Sequence, residues 1–249
     1  MPREILALIP ARGGSKSIPL KNIRLMAGQP MLAYTVRAAR EARCFTRIVV
    51  STDHPEIARI ADEHGAETRF LRPAALAGDH VPDLPVFHHA LEWLEREEGY
   101  LPDVVVHLRP TAPLRTARHI EEAVLLLLSS PMADSVRSVS PAPVHPLKMW
   151  RLDGDRLAPF VPAHVFGIRE AYNQPRQSLP PAYVQNGAVD VMWRRTVVEG
   201  RSMSGEVILY YLMDEGVSVN VDSELDFLLA ERLLLERREE VAALAKEHP

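Results

Sequence analysis

Apolar and polar residues follow two alternating spacings along the first half of the chain. Short apolar runs are separated by longer stretches in which apolar residues recur every three or four positions. The predicted strands are 5–9, 47–51, 104–108 and 135–139, and the predicted helices are 30–43, 53–65, 83–99 and 116–130. Strands that alternate with helices build parallel sheets, so the pattern predicts an α/β fold whose sheet is covered on both faces.

The pattern breaks at residue 141. Residues 141–190 are rich in proline and have no regular period, and proline cannot lie in a central strand. We interpret this range as an insertion in one domain that spans 1–249, either a subdomain or an arm that contacts a partner chain. A long surface loop is the alternative. Aromatic residues favour the first interpretation, because surface loops do not need them: Trp150, Phe160, Phe166 and Tyr172.

Strand character resumes in "AVDVMW" and "EVILYYLMD", and the chain closes with a long amphipathic stretch. Ser223 and Asp226 have the spacing of a capping box at the start of that predicted helix.

Composition narrows the classes of function. The chain has 249 residues, of which 47% are apolar and 25% charged, as in soluble globular proteins. Its net charge of −4 argues against nucleic acid as a partner. One cysteine, Cys44, excludes an internal disulfide. No signal peptide or membrane-spanning stretch is apparent, so we expect a cytoplasmic protein without a membrane partner.

The segment "LIPARGGSKSIPLKN", residues 8–22, is the first candidate site. It directly follows a predicted strand, and ligands bind at the carboxyl ends of parallel strands. Gly13 and Gly14 allow backbone N–H groups to approach an anion, while Arg12, Lys16 and Lys21 supply positive charge. A triphosphate is the predicted ligand, and a solvated basic loop is the alternative. The Walker and dinucleotide-binding glycine motifs are both absent from the sequence.

This segment and five others, in order, resemble the acylneuraminate cytidylyltransferase family, the CMP-sialic acid synthetases. The further segments are "IVVSTDHPEIARIADEHGAE", "RPAALAGD", "LRPTAPLRT", "RQSLPPAYVQNGAV" and "VNVDSELDF". The resemblance implies a three-layer α/β/α Rossmann-like nucleotidyltransferase fold with a mostly parallel sheet. It also implies transfer of CMP from CTP to the anomeric hydroxyl of a 2-keto-3-deoxy sugar acid, with release of pyrophosphate, a Mg²⁺ cofactor and a homodimer.

The resemblance also implies roles for individual residues. The nucleotide-binding residues would be Ala11, Arg12, Gly13, Gly14, Ser15, Lys16, Lys21, Asn22 and Arg72. The sugar-binding residues would be Arg109, Lys148, Arg176, Gln177, Asn186 and Asp190. The catalytic residues would be Arg12, Lys21 and Asp222.

The metal site is predicted near the end of the chain. "VSVNVDSE" has the character of a strand that ends in Asn220-Val221-Asp222, and side chains two residues apart on a strand share a face. Asn220 and Asp222 would therefore converge as oxygen ligands, which magnesium favours. Asp222 could also accept the proton of the sugar hydroxyl. The alternative is that Asp222 only precedes or caps the last helix.

The sequence departs from the family pattern at four positions. Asn220 replaces an aspartate, Arg109 a glutamine, Asp190 a tyrosine and Ser17 a glycine. These changes leave the identity of the sugar open. Three other functions stay open as well: transfer to an eight-carbon ulosonate, transfer to a sugar 1-phosphate, and nucleotide binding without turnover.

Overall fold

The fold of the protein is given by a computed structural model, which describes the backbone of residues 3–247 and the side chains of residues 3–239. The strands are β1 (Ile5–Pro10), β2 (Leu25–Met26), β3 (Gln29–Pro30), β4 (Arg47–Ser51), β5 (Val104–His107), β6 (Ser135–Pro141), β7 (Trp150–Asp153), β8 (Arg156–Pro159), β9 (Tyr183–Trp193) and β10 (Ile208–Leu212). The helices are α1 (Met31–Glu41), α2 (Pro55–Glu63), α3 (Asp83–Glu98), α4 (Ala117–Leu128), α5 (Arg194–Val198) and α6 (Glu224–Glu247).

Six strands form one sheet in the order β10-β6-β9-β5-β1-β4. β1 pairs in parallel with both β4 and β5, and β10 pairs in parallel with β6. β9 is antiparallel to its two neighbours, β5 and β6. The predicted α/β fold with a mainly parallel sheet is therefore confirmed.

Both faces of the sheet are covered, as the apolar character of β1 requires. Ala7 and Ile9 belong to a core cluster that includes residues of α1 and α4. Leu6 and Leu8 belong to a second cluster, on the opposite face, that includes residues of α3. Because successive side chains of a strand point to opposite faces, a strand buried on both sides is apolar at every position.

Between β6 and β9 the chain leaves the sheet. Residues 142–182, called the arm below, form the β7–β8 hairpin and four single 3-10 turns, which are 146–148, 163–165, 171–173 and 176–178. The arm has a small core of its own, made by Leu147, Ala171 and Leu179. The sheet resumes at Tyr183, so residues 183–190 of the range expected to be inserted form the first part of β9.

One predicted strand is wrong. Residues 218–222 form a loop, in which the backbone N–H of Val221 donates to the carbonyl of Thr111 at 2.8 Å. Val221 is buried in a cluster with Phe227 of α6, so packing against this helix, and not pairing with a strand, holds the segment.

The predicted capping box is confirmed at the start of α6. The Asp226 carboxylate accepts from the Ser223 backbone N–H at 2.8 Å and from the Ser223 hydroxyl at 2.7 Å. In return, the Asp226 N–H donates to the Ser223 hydroxyl at 3.3 Å. Among the helices of residues 3–247, none has the length and apolar character needed to cross a membrane.

Candidate active site

The loops that follow β1 and β5 meet at one edge of the sheet, because these strands run in the same direction. Together with residues from the segment 72–86, and with Asn220 and Asp222, they line a cleft of about 680 Å³. Ten of the residues predicted from the sequence line it: Arg12, Gly14, Ser15, Lys16, Lys21, Asn22, Arg72, Arg109, Asn220 and Asp222. The lining holds five arginine and lysine side chains against three carboxylates, so the cleft suits an anion.

The start of the basic loop, residues 11–22, is held by the end of β4. The backbone N–H of Ala11, a fully buried residue, donates to the carbonyl of Ser51 at 3.0 Å. The Asn22 side chain closes the loop from its other end, donating to the carbonyl of Arg12 at 2.9 Å. Ala11 and Asn22 therefore shape the loop that presents Arg12.

Gly13 and Gly14 differ in their surroundings. The Gly13 N–H donates to the Asp53 carboxylate at 2.9 Å, and a Cβ at Gly13 would lie 2.8 Å from a ring carbon of His54. A side chain there is therefore excluded by the loop after β4. A Cβ at Gly14 would meet no atom within 4 Å, so this glycine leaves an open approach to the cleft.

An aspartate bridges two cations of the cleft. The Asp79 carboxylate accepts from Arg12 Nη1 at 2.8 Å with one oxygen and from Lys16 Nζ at 2.7 Å with the other. The hydrogen bond from Lys16, with the charges of Lys16 and Arg12, lowers the pKa of Asp79. Asp79 thus occupies the place between these cations that an anionic ligand group would take.

The two other cations of the nucleotide side are held more tightly. Lys21 is largely buried, and its Nζ donates to the Val221 carbonyl at 2.6 Å and to the Asp222 carboxylate at 3.2 Å. Arg72 is buried, and its Nε donates to the Ser51 hydroxyl at 3.1 Å. Burial lowers the pKa of Arg72.

The side chains of Asn220 and Asp222 are in contact, although a loop and not a strand carries them. The Asn220 amide nitrogen donates to one Asp222 oxygen. The Asn220 amide oxygen is buried and has no hydrogen-bond partner among the described residues. Buried oxygens of native proteins are seldom unpaired, and a residue pair that offers an amide oxygen and carboxylate oxygens fits the preference of magnesium for oxygen ligands. Among the described residues, no three acidic, histidine or cysteine side chains are placed to hold a metal ion by themselves, so phosphates and water would complete the shell.

Arg109 and Asp190 form an ion pair at the wall of the cleft. Arg109 Nη1 lies 2.8 Å from an Asp190 oxygen, and Arg109 Nη2 lies 3.1 Å from an Asp83 oxygen. Arg109 and Asp83 line the cleft, whereas Asp190 is fully buried behind Arg109 and does not line it. Burial works to lower the pKa of Arg109, but the two carboxylates raise it overall.

Asn186 lies inside the protein. Its amide oxygen accepts from the Ser138 hydroxyl at 2.6 Å, and its amide nitrogen donates to the Ser218 hydroxyl at 3.0 Å. It therefore ties β9 to β6 and to the loop that leads to residues 220–222, and it is not among the described residues that line the cleft.

The predicted sugar-side residues of the arm lie away from the described lining of the cleft. Lys148 Nζ donates to the backbone carbonyls of Tyr172 and Gln174, at 3.2 and 2.7 Å. Arg176 Nη2 donates to a carbonyl at the base of the arm, that of Ala142, at 2.7 Å, and Gln177 is exposed. The structure does not bring these residues together with the cations of the basic loop.

Sequence reasoning missed His107, which lines the cleft with a buried ring. The ring packs against Phe87 with centroids 4.7 Å apart, and neither ring nitrogen has a hydrogen-bond partner among the described residues. Burial, followed by the charge of Arg109, lowers the pKa of His107 well below its ordinary value, so the ring is neutral at pH 7. The signal was a polar residue at the end of an apolar strand, in "VVVHL".

Sequence reasoning also assigned no site role to Asp79 and Asp83, whose carboxylates meet Arg12 and Arg109 only in the folded chain. Asp79 lies in "RPAALAGD", a segment that the family resemblance already covered. No signal marked Asp83, which opens a helix as many surface acids do.

Two solved structures have the same fold. CMP:2-keto-3-deoxy-manno-octonic acid synthetase complexed with CTP matches with a TM-score of 0.68 at 13% identity, over 94% of this chain and 99% of that one. 4-diphosphocytidyl-2C-methyl-D-erythritol synthase from Anaerococcus prevotii matches with a TM-score of 0.57 at 12% identity, over 94% and 99%. At this identity both likenesses concern the fold alone.

Sequence comparisons show more than the fold, because they identify the family of the chain. Post-translational flagellin modification protein B of Campylobacter coli is 34% identical, over 94% of this chain and 96% of that protein. CMP-N,N'-diacetyllegionaminic acid synthase of Legionella pneumophila is 34% identical, over 92% and 96%. N-acylneuraminate cytidylyltransferase of Escherichia coli is 31% identical, over 92% of this chain and 52% of that protein. The model of the cytidylyltransferase family matches residues 6–146, which hold the basic loop and the first three parallel strands, and the chain therefore belongs to this family.

Proposed function

We propose that this protein transfers CMP from CTP to the anomeric hydroxyl of a nonulosonate, a sialic-acid-like sugar acid, and releases pyrophosphate. One observation carries this proposal: Arg12, Lys16, Lys21 and Arg72 line the same cleft as Asn220 and Asp222. The relatives named as CMP-sugar acid synthases support the choice of acceptor.

In the proposed reaction the sugar hydroxyl oxygen bonds to the α-phosphorus of CTP, and the bond from that phosphorus to the bridging oxygen of pyrophosphate breaks. Arg12 can donate two parallel hydrogen bonds to one phosphate, whereas Lys16 and Lys21 act as point charges. These cations stabilise the charge that develops on the departing pyrophosphate. Asp222, which pairs with Lys21, is the proposed acceptor of the proton of the sugar hydroxyl.

Mg²⁺ is the proposed cofactor, held by Asn220 and Asp222 together with substrate phosphates. When bound, it would neutralise phosphate charge as pyrophosphate departs. Asn220 contributes no formal charge, so we expect Asn220→Asp to lower the metal concentration needed for half-maximal activity. Because CTP is an intracellular nucleotide, we propose that the reaction takes place in the cytoplasm.

Pyrophosphate release with CTP and Mg²⁺ tests the proposal. The acceptors are N-acetylneuraminate, its deaminated form, legionaminate, pseudaminate, an eight-carbon ulosonate and a hexose 1-phosphate. Release with a nonulosonate supports the proposal and identifies the sugar. Release only with the eight-carbon acid or with the sugar phosphate would transfer the assignment to that substrate. CTP binding without release from any acceptor would indicate nucleotide binding without turnover.

We also propose a homodimer, in which the arm reaches the cleft of the partner chain. Lys148 and Arg176 do not line the described cleft of their own chain, so a second copy is the simplest way to bring them to a bound sugar. The arm also exposes apolar side chains: Leu152 by 81%, Leu157 by 60% and Phe160 by 62%. Apolar surface of this kind is typical of an interface between subunits.

Leu152 and Leu157 face each other across the β7–β8 hairpin, which makes them a compact target. We expect Leu152→Asp with Leu157→Asp to halve the mass measured by sedimentation equilibrium, because buried aspartates at an interface are strongly destabilising. Leu125→Asp, at a leucine of α4 that is 64% exposed, is the matched control. A monomeric wild type, or a double variant that remains dimeric, would contradict the proposed interface.

Asp79 is expected to compete with phosphate for Arg12 and Lys16. Asp79→Asn keeps the shape of the side chain but removes the charge, so we expect pyrophosphate to bind about three- to tenfold more tightly, as for the loss of one or two exposed ion pairs. Isothermal titration with Mg-pyrophosphate measures this effect, which should shrink at high salt. Asp214→Asn, at another exposed aspartate, is the control. Weaker binding to Asp79→Asn would show that Asp79 orients the cations and does not compete for them.

A further inference from the structure

A buried carboxylate lies behind the sugar side of the cleft. Asp190 has no exposed surface, and its Oδ2 lies 2.8 Å from Arg109 Nη1 and 2.5 Å from Arg137 Nη1. The Gln185 amide nitrogen lies 3.2 Å from the same oxygen and 3.3 Å from the other. His107, with its ring 3.9 Å away, is neutral, so the charge of Asp190 is balanced by the two arginines.

Arg137 connects this carboxylate to the rest of the protein. Its side chain is 12% exposed, and its Nη2 donates to the Ser204 hydroxyl at 2.7 Å and to the Met203 carbonyl. These partners lie in the loop that precedes β10. Arg137 therefore holds Asp190 in place, and Arg137 itself is not among the described residues that line the cleft.

Arg109 is fixed from three sides. Asp190 and Asp83 each bind one of its terminal nitrogens. Its side chain also lies against the backbone of β9 at Gly187, where a Cβ would come within 3.2 Å of Arg109 Nη1. Gly187 has a φ of +68°, which also favours glycine. A guanidinium has five N–H donors, of which these two carboxylates use two, and Arg109 lines the cleft.

We propose that Asp190, backed by Arg137, is a positioning residue that fixes Arg109 as a rigid donor toward the sugar, so that Arg109 and Asp190 act as one unit in the choice of sugar acid. This inference rests on the proposed function. It assigns Asp190 a role through Arg109 and not through contact with the sugar. Two of the departures noted in the sequence, Arg109 and Asp190, are thus in direct contact, at 2.8 Å.

The physical basis is preorganisation. A donor held in one geometry discriminates between two ligands that differ in one acceptor group, because the poorer ligand leaves a buried donor unpaired. A mobile arginine can turn to another partner and loses most of that discrimination. Removing the charge of Asp190 also leaves two arginines close together without their shared carboxylate, which favours movement of the more exposed one, Arg109.

The first test compares Asp190→Asn, Arg109→Gln and the double variant, using the acceptor that the wild type prefers. We expect each single variant to raise the sugar KM about tenfold or more, as for a lost hydrogen bond to a charged group, while the CTP KM changes less than about twofold. The double variant should be no worse than Arg109→Gln, since residues that act as one unit are not additive. The preference among the sugar acids of the panel should fall in all three. Asp214→Asn should change none of these values.

The second test needs no sugar and no turnover. An arginine-specific dicarbonyl reagent, with peptide mass spectrometry, measures the reactivity of Arg109 in the free protein. We expect labelling of Arg109 to rise several-fold in Asp190→Asn, with labelling of Arg118, an exposed arginine of α4, as the internal reference. A thermal melt establishes that each variant is folded. The double variant, Arg109→Gln with Asp190→Asn, leaves less unpaired charge than Asp190→Asn alone.

The outcomes of these tests distinguish failure of the positioning role of Asp190 from failure of the proposed function. Additive effects of the two substitutions, equal changes in the KM values of sugar and CTP, or unchanged labelling of Arg109 would overturn the positioning role of Asp190. If the wild type releases pyrophosphate with none of the acceptors, the proposed function fails. The labelling experiment still decides in that case whether Asp190 holds Arg109.

Discussion

Replacing Asp222 with alanine is expected to lower kcat by about a thousandfold or more, the scale for losing a metal ligand and a general base together. The carboxylate accepts from the amide nitrogen of Asn220 and lies 3.2 Å from Lys21 Nζ, so it is the acidic group of the proposed metal site. CTP should still bind, because Arg12, Lys16 and Arg72 remain.

Three measurements make this prediction specific. Single-turnover assays over a range of Mg²⁺ concentrations give the rate, and isothermal titration with CTP gives the affinity. Glu224→Gln is the matched control, because Glu224 is a nearby acid that pairs with Arg24 and does not line the cleft. Turnover within tenfold of the wild type would remove Asp222 from the catalytic group. Loss of CTP binding would show that Asp222 holds the nucleotide instead.

Replacing Arg12 with alanine is expected to weaken CTP binding by about a hundredfold, since hydrogen bonds between charged groups contribute roughly 1.5–3 kcal/mol and 1.4 kcal/mol is a factor of ten. Arg12 begins the basic loop, where its backbone is held by Asn22 and its guanidinium reaches Asp79. The substitution removes a planar group that can bind two phosphate oxygens at once.

The effect of Arg12→Ala should fall on binding and not on folding, because the side chain is partly exposed and pairs only with Asp79 among the described residues. Arg118→Ala, at an arginine of α4 whose side chain is 73% exposed, is the control. Arg12→Lys should have an intermediate affinity, since lysine keeps the charge but loses the planar geometry. An unchanged affinity of Arg12→Ala for CTP would contradict the role of the basic loop in binding phosphate.

Much of the fold could be predicted because it depends on local periodicity. The predicted helix 83–99 is Asp83–Glu98 in the structure, and the predicted strand 47–51 is Arg47–Ser51. Helices and buried strands carry these patterns because one side of a helix, or both sides of a central strand, must be apolar. The same reasoning wrongly predicted a strand at 218–222. The alternation of apolar and polar residues there reflects burial of Val221 against α6 and not pairing with a strand.

The candidate site was only partly predictable for a different reason. Gly13, Gly14 and the cations of the basic loop are close in sequence, so their spacing alone indicates a phosphate site. Partners that are distant in sequence cannot be inferred in this way: Asp79 lies 67 residues from Arg12, and Asp190 lies 81 residues from Arg109. The ion pairs and hydrogen bonds between these residues depend on distances of about 3 Å, which only the folded backbone defines.

The sequence by itself determined the α/β class, the edge of the sheet that carries the basic loop, and the family, because all three can be recognised from short segments whose residues are close together along the chain. The tertiary structure decided which of the predicted site residues share a cleft. It placed Asp190 behind Arg109, Asn186 inside the protein, and Lys148 and Arg176 on an arm outside the described lining of the cleft. The physical reason is that burial and charge pairing are properties of surfaces that meet only after folding.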